Sequence, residues 1–193
     1  YLITKIYFSL SKIKPFHPKR VPEKFVSVIV ACRNEEETLT FLLSDFAEQN
    51  CDPDLFEIII VNDNSFDSTF DVASGFDGIR NIRVINNSGR GKKQAIRTGV
   101  EASAGSYIIV TDADCRIGNN WLKTIASFEA EYEPEMTICR VQLEDGGGFF
   151  HRFQELEFLS LQGITAGTAA GKNPVMCNGA ALGFQKEVYL KHA

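Results

Sequence analysis

Two kinds of apolar spacing alternate along this chain. Continuous β-branched runs stand at Val26-Ser-Val-Ile-Val-Ala31, Phe56-Glu-Ile-Ile-Ile-Val61, Ile82-Arg-Val-Ile85 and Tyr107-Ile-Ile-Val110, and each predicts a buried strand. Between them the apolar positions return every three or four residues, which predicts helices. Leu39, Leu42, Leu43, Phe46 and Ala47 form one such face, with Asn34 as its expected N-cap and Glu35, Glu36 and Glu37 where the helix dipole favours acid. Thr69 to Ala73 predicts a short helix, and Lys92 to Ala102 a longer one opened by Gly89-Arg-Gly91. Asn119 is the expected cap of a helix carrying Trp121, Leu122, Ile125 and Phe128. Met136 to Leu143 alternates in part and reads as a strand. Gly146-Gly-Gly148 is a flexible break, after which His151 to Ile164 has helical period through Phe153, Leu156, Leu159 and Leu161. A last helix starts at Gln185.

Strand and helix units of this length, taken in turn, predict an α/β fold: a mostly parallel, Rossmann-like sheet flanked by helices on both faces. A chain of 193 residues fits one domain of this kind. Residues 1–24 stand apart. They begin apolar (Tyr1, Leu2, Ile3, Ile6, Tyr7, Phe8, Leu10, Ile13) and then carry Lys12, Lys14, Lys19, Arg20 and Lys24 among three prolines. This is a basic N-terminal segment, either juxtamembrane or an amphipathic arm on the domain or membrane surface. Residues 25–193 form the domain, expected to be truncated at its C-terminus because the last helix has barely begun. No uninterrupted apolar run is long enough to cross a bilayer.

Composition narrows the function. The net charge of −5 gives no general basic footprint, so no nucleic acid is expected as a partner. Five cysteines, odd in number and dispersed, point to reduced thiols and away from zinc.

The candidate chemistry centres on Asp112-Ala-Asp114, which closes the run from Tyr107. Alternate side chains of an extended chain share a side, so both carboxylates are expected to reach one point. Two hard oxygen ligands with room for water and phosphate suit Mg²⁺ or Mn²⁺. Three further strand ends are polar: Cys32-Arg33-Asn34-Glu35, Asn62-Asp63-Asn64-Ser65 and Gly91-Lys92-Lys93. Convergence of four such ends on one edge of an open parallel sheet is the pattern of a nucleotide site. A dinucleotide fingerprint fails at Gln94, and a Walker A loop fails at Asn86 and Lys93. Lys92 and Lys93 still open a helix within reach of a phosphate.

Arg-Asn-Glu after the first strand, Asn-Asp-x-Ser-x-Asp-x-Thr after the second, then Gly-Lys, then Asp-x-Asp, together resemble the nucleotide-sugar half of GT-A fold glycosyltransferases. The closest resemblance is to the inverting family 2, over Val26 to about Lys186. Cys177-Asn-Gly-Ala-Ala-Leu-Gly-Phe184 is similar to the segment that precedes the catalytic-base region there. The resemblance implies metal-assisted, inverting transfer of a sugar from a UDP- or GDP-linked donor to a lipid-linked or polysaccharide acceptor. It implies Mn²⁺ or Mg²⁺ as cofactor and the cytoplasmic face of the cell membrane as location. Ala31, Arg33 and Glu35 would line the nucleotide, and Asp63 would accept a hydrogen bond from the base. Lys92 and Lys93 would approach the diphosphate. Asp112 and Asp114 would lie at the ribose and metal, Asp114 as the direct ligand. Asn178 and Gly179 suit either the border of the acceptor pocket or a tight turn between elements. Asn62 departs from the family's usual aspartate. The catalytic base would lie beyond Ala193.

Two rival readings follow from the same residues. A nucleotidyltransferase shares Asp-rich sites on similar sheets, but usually carries a glycine-rich loop where this chain has Arg-Asn-Glu. A non-catalytic doubly wound phosphate-binding module would use Asp63 and Lys186 and leave the Asp112 pair without a role. Phe149 and Phe150 suit either a mobile acceptor-side loop or simple packing. Glu155 and Glu157 suit a solvated helix face, and Trp121 the core.

Overall fold

The computed structural model describes residues 2–144 and 146–192, with Leu2 described in its backbone alone. Tyr1, the expected start of the apolar segment, and Ala193, in the expected last helix, lie outside the described residues, as does Asp145.

The elements run α1 (Leu2–Leu10), β1 (Val26–Cys32), α2 (Leu39–Ala47), β2 (Phe56–Asn62), α3 (Thr69–Ser74), β3 (Ile82–Asn86), α4 (Lys92–Ala102), β4 (Tyr107–Asp112), α5 (Trp121–Tyr132), β5 (Met136–Ile138), α6 (Phe149–Ala170), β6 (Ala181–Gln185) and α7 (Lys186–His192). The six strands lie in the order β3-β2-β1-β4-β6-β5. β1 pairs in parallel with β2 and β4, and β2 with β3. β6 runs antiparallel to both β4 and β5.

Covering both faces explains why β1, β2 and β4 are apolar without alternation. Val28, Val30, Ile58, Ile60 and Ile109 pack against Leu42, Phe46, Leu122 and Ile125 of α2 and α5. Ile29, Ile59, Val61, Ile108 and Val110 pack the other way, against Ala95 and Val100 of α4 and against Phe184. Gly99 lets α4 lie close to the sheet: a Cβ there would stand 2.5 Å from Cγ2 of Ile29. Trp121, partly buried, packs against this core and meets Phe46 edge-on.

Four expectations change. α2 begins at Leu39, not after Asn34. Asn34 has φ 57° and a turn spans residues 36–38, so the acidic run belongs to a loop. The residue before α5 is Asn120, one position later than the expected cap. β5 stops at Ile138; beyond it, Cys139 donates its N–H to Ala181 and the chain leaves the sheet. β6 carries no apolar alternation that announces it. It fits between β4 and β5 because Gly183 leaves room for the Tyr107 ring, which a Cβ would approach to 2.6 Å at Oη.

The N-terminal segment packs in two places. α1 lies on α6, and Phe16 sets its ring edge-on to Phe128 of α5 at 5.0 Å. Arg20 donates to the Ala130 carbonyl, and Lys24 reaches Glu129 at 2.8 Å. Phe149 and Phe150 open α6 rather than lying in a loop. No described helix is long and apolar enough to cross a membrane.

Candidate nucleotide-sugar site

β2 and β3 lie on one side of β1 and β4 on the other, so the connections leaving β1 and β4 diverge. Open α/β sheets bind ligands at the carboxyl ends of strands at such a switch point. A hollow of about 350 Å³ sits there. The β1 end contributes Ala31, Cys32, Arg33 and Glu35 to it, and the β2 end Asp63. The start of α4 supplies Gly91 and Lys92, and the β4 end Asp112, Ala113 and Asp114. Register sets these neighbours: Ala31 stands beside Asp112, and Cys32 beside Asn62.

Asp63 is held hard. One oxygen accepts from Asn87 Nδ2 at 2.6 Å, and the Gly91 N–H lies 2.9 Å from both oxygens. Burial works against its charge. Donation from Asn87, Gly91 and Asn64, with the Arg33 guanidinium, outweighs that and holds the carboxyl below its usual range. Asp63 is therefore an ionised acceptor fixed in direction at neutral pH. Asn87 was missed in the sequence. Its signal was present, since Asn86-Asn87 ends β3 as polar residues end the other strands.

The polar motif after β2 is a set of clamps between two loops. Ser65 Oγ accepts from Asn34 N at 3.1 Å, and Asn34 Oδ1 accepts from Phe66 N. Thr69 Oγ1 accepts from Glu35 N at 2.7 Å, and Asp67 from Glu36 N. Asn62 Oδ1 accepts from Ser65 N and its amide donates to Asn86. These bonds sustain left-handed backbone at Asn34 and Asn64, a conformation that costs roughly 1 kcal/mol or more for a residue other than glycine. Glu35 is turned to Thr38, whose hydroxyl donates to it at 2.6 Å.

Asp112 receives the Lys92 ammonium at 2.5 Å. Both groups are partly solvated, so the pair contributes little to stability and its cation is free to exchange partners. Asp114 shares the hollow by a different route from the expected one. β4 ends at Asp112, and a turn through buried Ala113 carries Asp114 round to the opening. Among the described residues no group of three or more His, Cys, Asp or Glu is placed to hold a metal. Cys32, in the wall, has its thiol pushed up to about 12 by burial and is no nucleophile.

Lys93 is not at this hollow. It lines a second, apolar one of about 670 Å³ with Ile96, Val110, Leu182, Phe184 and Gly179, and Lys92 borders both. Asn178 turns its side chain to the N–H of Ala180 and makes the turn before β6. Glu155 lies 3.7 Å from His151 within α6, and neither Glu155 nor Glu157 borders the Asp63 hollow. Lys186 donates to the Ser103 carbonyl, so the Asp63–Lys186 pairing of a phosphate-receiving module does not form.

Known proteins resemble this chain in sequence and fold. The Staphylococcus aureus strain Mu50 poly(ribitol-phosphate) beta-N-acetylglucosaminyltransferase TarS is 28% identical over 126 residues, covering 63% of this chain and 22% of the relative. The human dolichyl-phosphate beta-glucosyltransferase is 37% identical over 105 residues, 48% of this chain and 32% of the relative. The chain thus spans less than half the length of these relatives. The crystal structure of TarS 1-349 in complex with UDP-GlcNAc matches 65% of this chain and 36% of the other, with TM-score 0.58 and 25% identity. A mannosyltransferase, PcManGT from Pyrobaculum calidifontis, in complex with GDP-Man and Mn²⁺, matches 98% of this chain and 53% of the other. Its TM-score of 0.74 at 19% identity shows a shared GT-A fold. The family model described as Glycosyl transferase family 2 matches residues 27–190, and the chain belongs to that family.

Proposed function

We propose that the protein transfers a sugar, with inversion, from a UDP- or GDP-linked donor to a lipid-linked or polysaccharide acceptor at the cytoplasmic face of the cell membrane. One observation carries the donor half of this reading: Asp63, Lys92, Asp112 and Asp114 open on a single hollow at the switch point of the sheet.

In this reading Asp63 accepts the imino N–H of the base, with Ala31 and Arg33 along the nucleotide. Asp112 takes the ribose, and Lys92 leaves Asp112 to meet the diphosphate. Charge grows on that diphosphate as the glycosidic bond breaks, so a cation there lowers the barrier more than it tightens the ground state.

The donor set fits Mn²⁺ or Mg²⁺. Asp112 and Asp114 give two hard oxygens at an open hollow, short of a closed cage, as suits an ion that keeps waters and takes phosphate oxygens. When bound, such an ion would neutralise the leaving diphosphate. The apolar hollow across Lys92, with Lys93 and Gly179, suits the acceptor side. The base that takes the acceptor proton belongs, by the family resemblance, downstream of Cys177–Phe184.

Calorimetry against UDP, GDP, ADP and CDP, with and without Mn²⁺, tests this. Metal-dependent binding of UDP or GDP that disappears in Asp114→Ala supports it. Equal, metal-independent binding of all four would sink it.

A further inference from the structure

Phe149, Phe153, Leu156, Ser160, Gly163 and Gly167 recur at helical spacing and mark one face of α6. α1 covers the C-terminal half of that face closely. A Cβ on Gly167 would stand 2.7 Å from Cγ2 and 2.9 Å from the carbonyl oxygen of Ile6, and one on Gly171 3.1 Å from Ser9 Oγ. Leu10 ends α1 level with Gly163, and the chain then leaves α6 for α5. The N-terminal half of the face is left bare, with Phe149 88%, Phe153 57% and Leu156 63% exposed. α1 adds Ile3, Tyr7 and Phe8, each more than half exposed. Exposed apolar residues in this number on two packed helices mark an interaction site.

The charges around it select the partner. Residues 1–24 hold six Lys or Arg against one acidic residue, Glu23, in a chain whose net charge is −5. Lys12, Lys14 and Lys19 are exposed just past α1, and Arg152 is exposed on α6. Arg140 and Arg152 also line a cleft of about 310 Å³ together with Leu156 and Leu159. The acidic residues nearby on α6 are Glu155, half-buried beside His151, and Glu157. A second copy meeting the same face would set lysines against lysines. An anionic lipid surface meets apolar residues and cations together.

We propose that the α1–α6 pair is a platform that lies in the plane of an anionic membrane. On it Phe149, Phe153 and Leu156 enter the acyl boundary, and Lys12, Lys14 and Arg152 meet headgroup phosphates. This names the surface behind the proposed membrane location and rests on that reading.

Co-sedimentation of the full protein with phosphatidylcholine vesicles, with and without phosphatidylglycerol, tests it. Wild type binds the anionic vesicles. The triple variant Phe149→Ser, Phe153→Ser, Leu156→Ser loses about tenfold or more of that binding. Lys12→Glu with Lys14→Glu loses it on phosphatidylglycerol vesicles by about tenfold or more and leaves neutral vesicles unchanged. Nucleotide binding stays at the wild-type level in both, because the substituted groups are exposed and outside the donor hollow. If the variants sediment like wild type, this face is not the platform, although the membrane location stands. If wild type fails to bind any vesicle while binding nucleotide, platform and location both fall and the transferase reading survives. If the triple variant instead abolishes a dimer seen by analytical ultracentrifugation, the face belongs to a second copy.

Discussion

Asn87 donates its amide to the Asp63 carboxylate at 2.6 Å, and both side chains are buried. That bond fixes which oxygen of Asp63 remains for a ligand. Asn87→Leu removes the donor and leaves Asp63 with the Gly91 N–H and weaker partners. UDP or GDP affinity should fall by about tenfold or more, because the carboxylate is no longer held in one direction by a hydrogen bond of the charged kind, worth roughly 1.5–3 kcal/mol. Titration calorimetry at neutral pH reads this directly, and unchanged affinity would remove Asp63 from the base-reading role.

Asp114→Asn keeps the shape of the turn after β4 and removes one charge. It should lower transfer by about a hundredfold, the scale of one lost electrostatic contact to the leaving group. Turnover assays across a Mn²⁺ series check it. Near-wild-type rates at saturating Mn²⁺ would contradict the assignment.

In the proposed reading Lys92 meets the phosphates, with Asp112 as its resting partner. Lys92→Ala should weaken UDP or GDP binding by about tenfold and leave uridine or guanosine binding within about twofold. Asp112, relieved of its cation, should bind Mn²⁺ alone more tightly than in wild type. Equal losses for nucleoside and nucleotide would place Lys92 elsewhere in the site.

Glu57 ties three segments beneath the site. It accepts from Ser27 Oγ and Ala104 N at 2.6 Å and from Arg83 at 2.8 Å. Burial opposes its charge, but those donors outweigh it and its carboxyl lies below the ordinary value. A depressed folded pKa means that this stabilisation is complete above the unfolded value near ~4.3 and is lost as pH falls through the folded one. Glu57→Gln should therefore cost about 2 kcal/mol at pH 7 and less in acid. Chemical denaturation over a pH series checks the convergence of the two curves on the acid side.

Gly99→Ala tests how closely α4 sits on the sheet. The new methyl would meet Ile29 and Val61, and overpacking of that kind costs about 1–3 kcal/mol. Thermal melting should fall by several degrees, with nucleotide affinity changed only as far as α4 shifts Gly91 and Lys92.

The central strands were legible because β1, β2 and β4 are covered on both faces, and such strands carry unbroken apolar runs. β6 was not legible. Ala181 to Gln185 holds small residues whose fitness depends on Tyr107 and on its antiparallel neighbours, none of which a local pattern shows. The false helix start at Asn34 has a similar cause. Glu35 to Glu37 fit a helix by propensity, yet Ser65, Asp67 and Thr69 claim the backbone of Asn34 to Glu36 from about thirty residues away. Asp63, Asp112 and Asp114 line one hollow, as the polar residues closing the strands suggest. The i, i+2 argument for the last two was incomplete, because a turn rather than strand alternation brings Asp114 round. Lys93 followed Lys92 in sequence but faces the other hollow, since neighbours on a helix point about a quarter-turn apart.

The Gly91 amide at the head of α4 is already committed to Asp63. Main-chain capture of an anion at that helix start is correspondingly reduced, and the task passes to mobile side-chain cations such as Lys92. Long-range attraction of that sort weakens as the Debye length shrinks. Binding of a diphosphate at this hollow should accordingly track ionic strength, with added salt acting on it as a throttle.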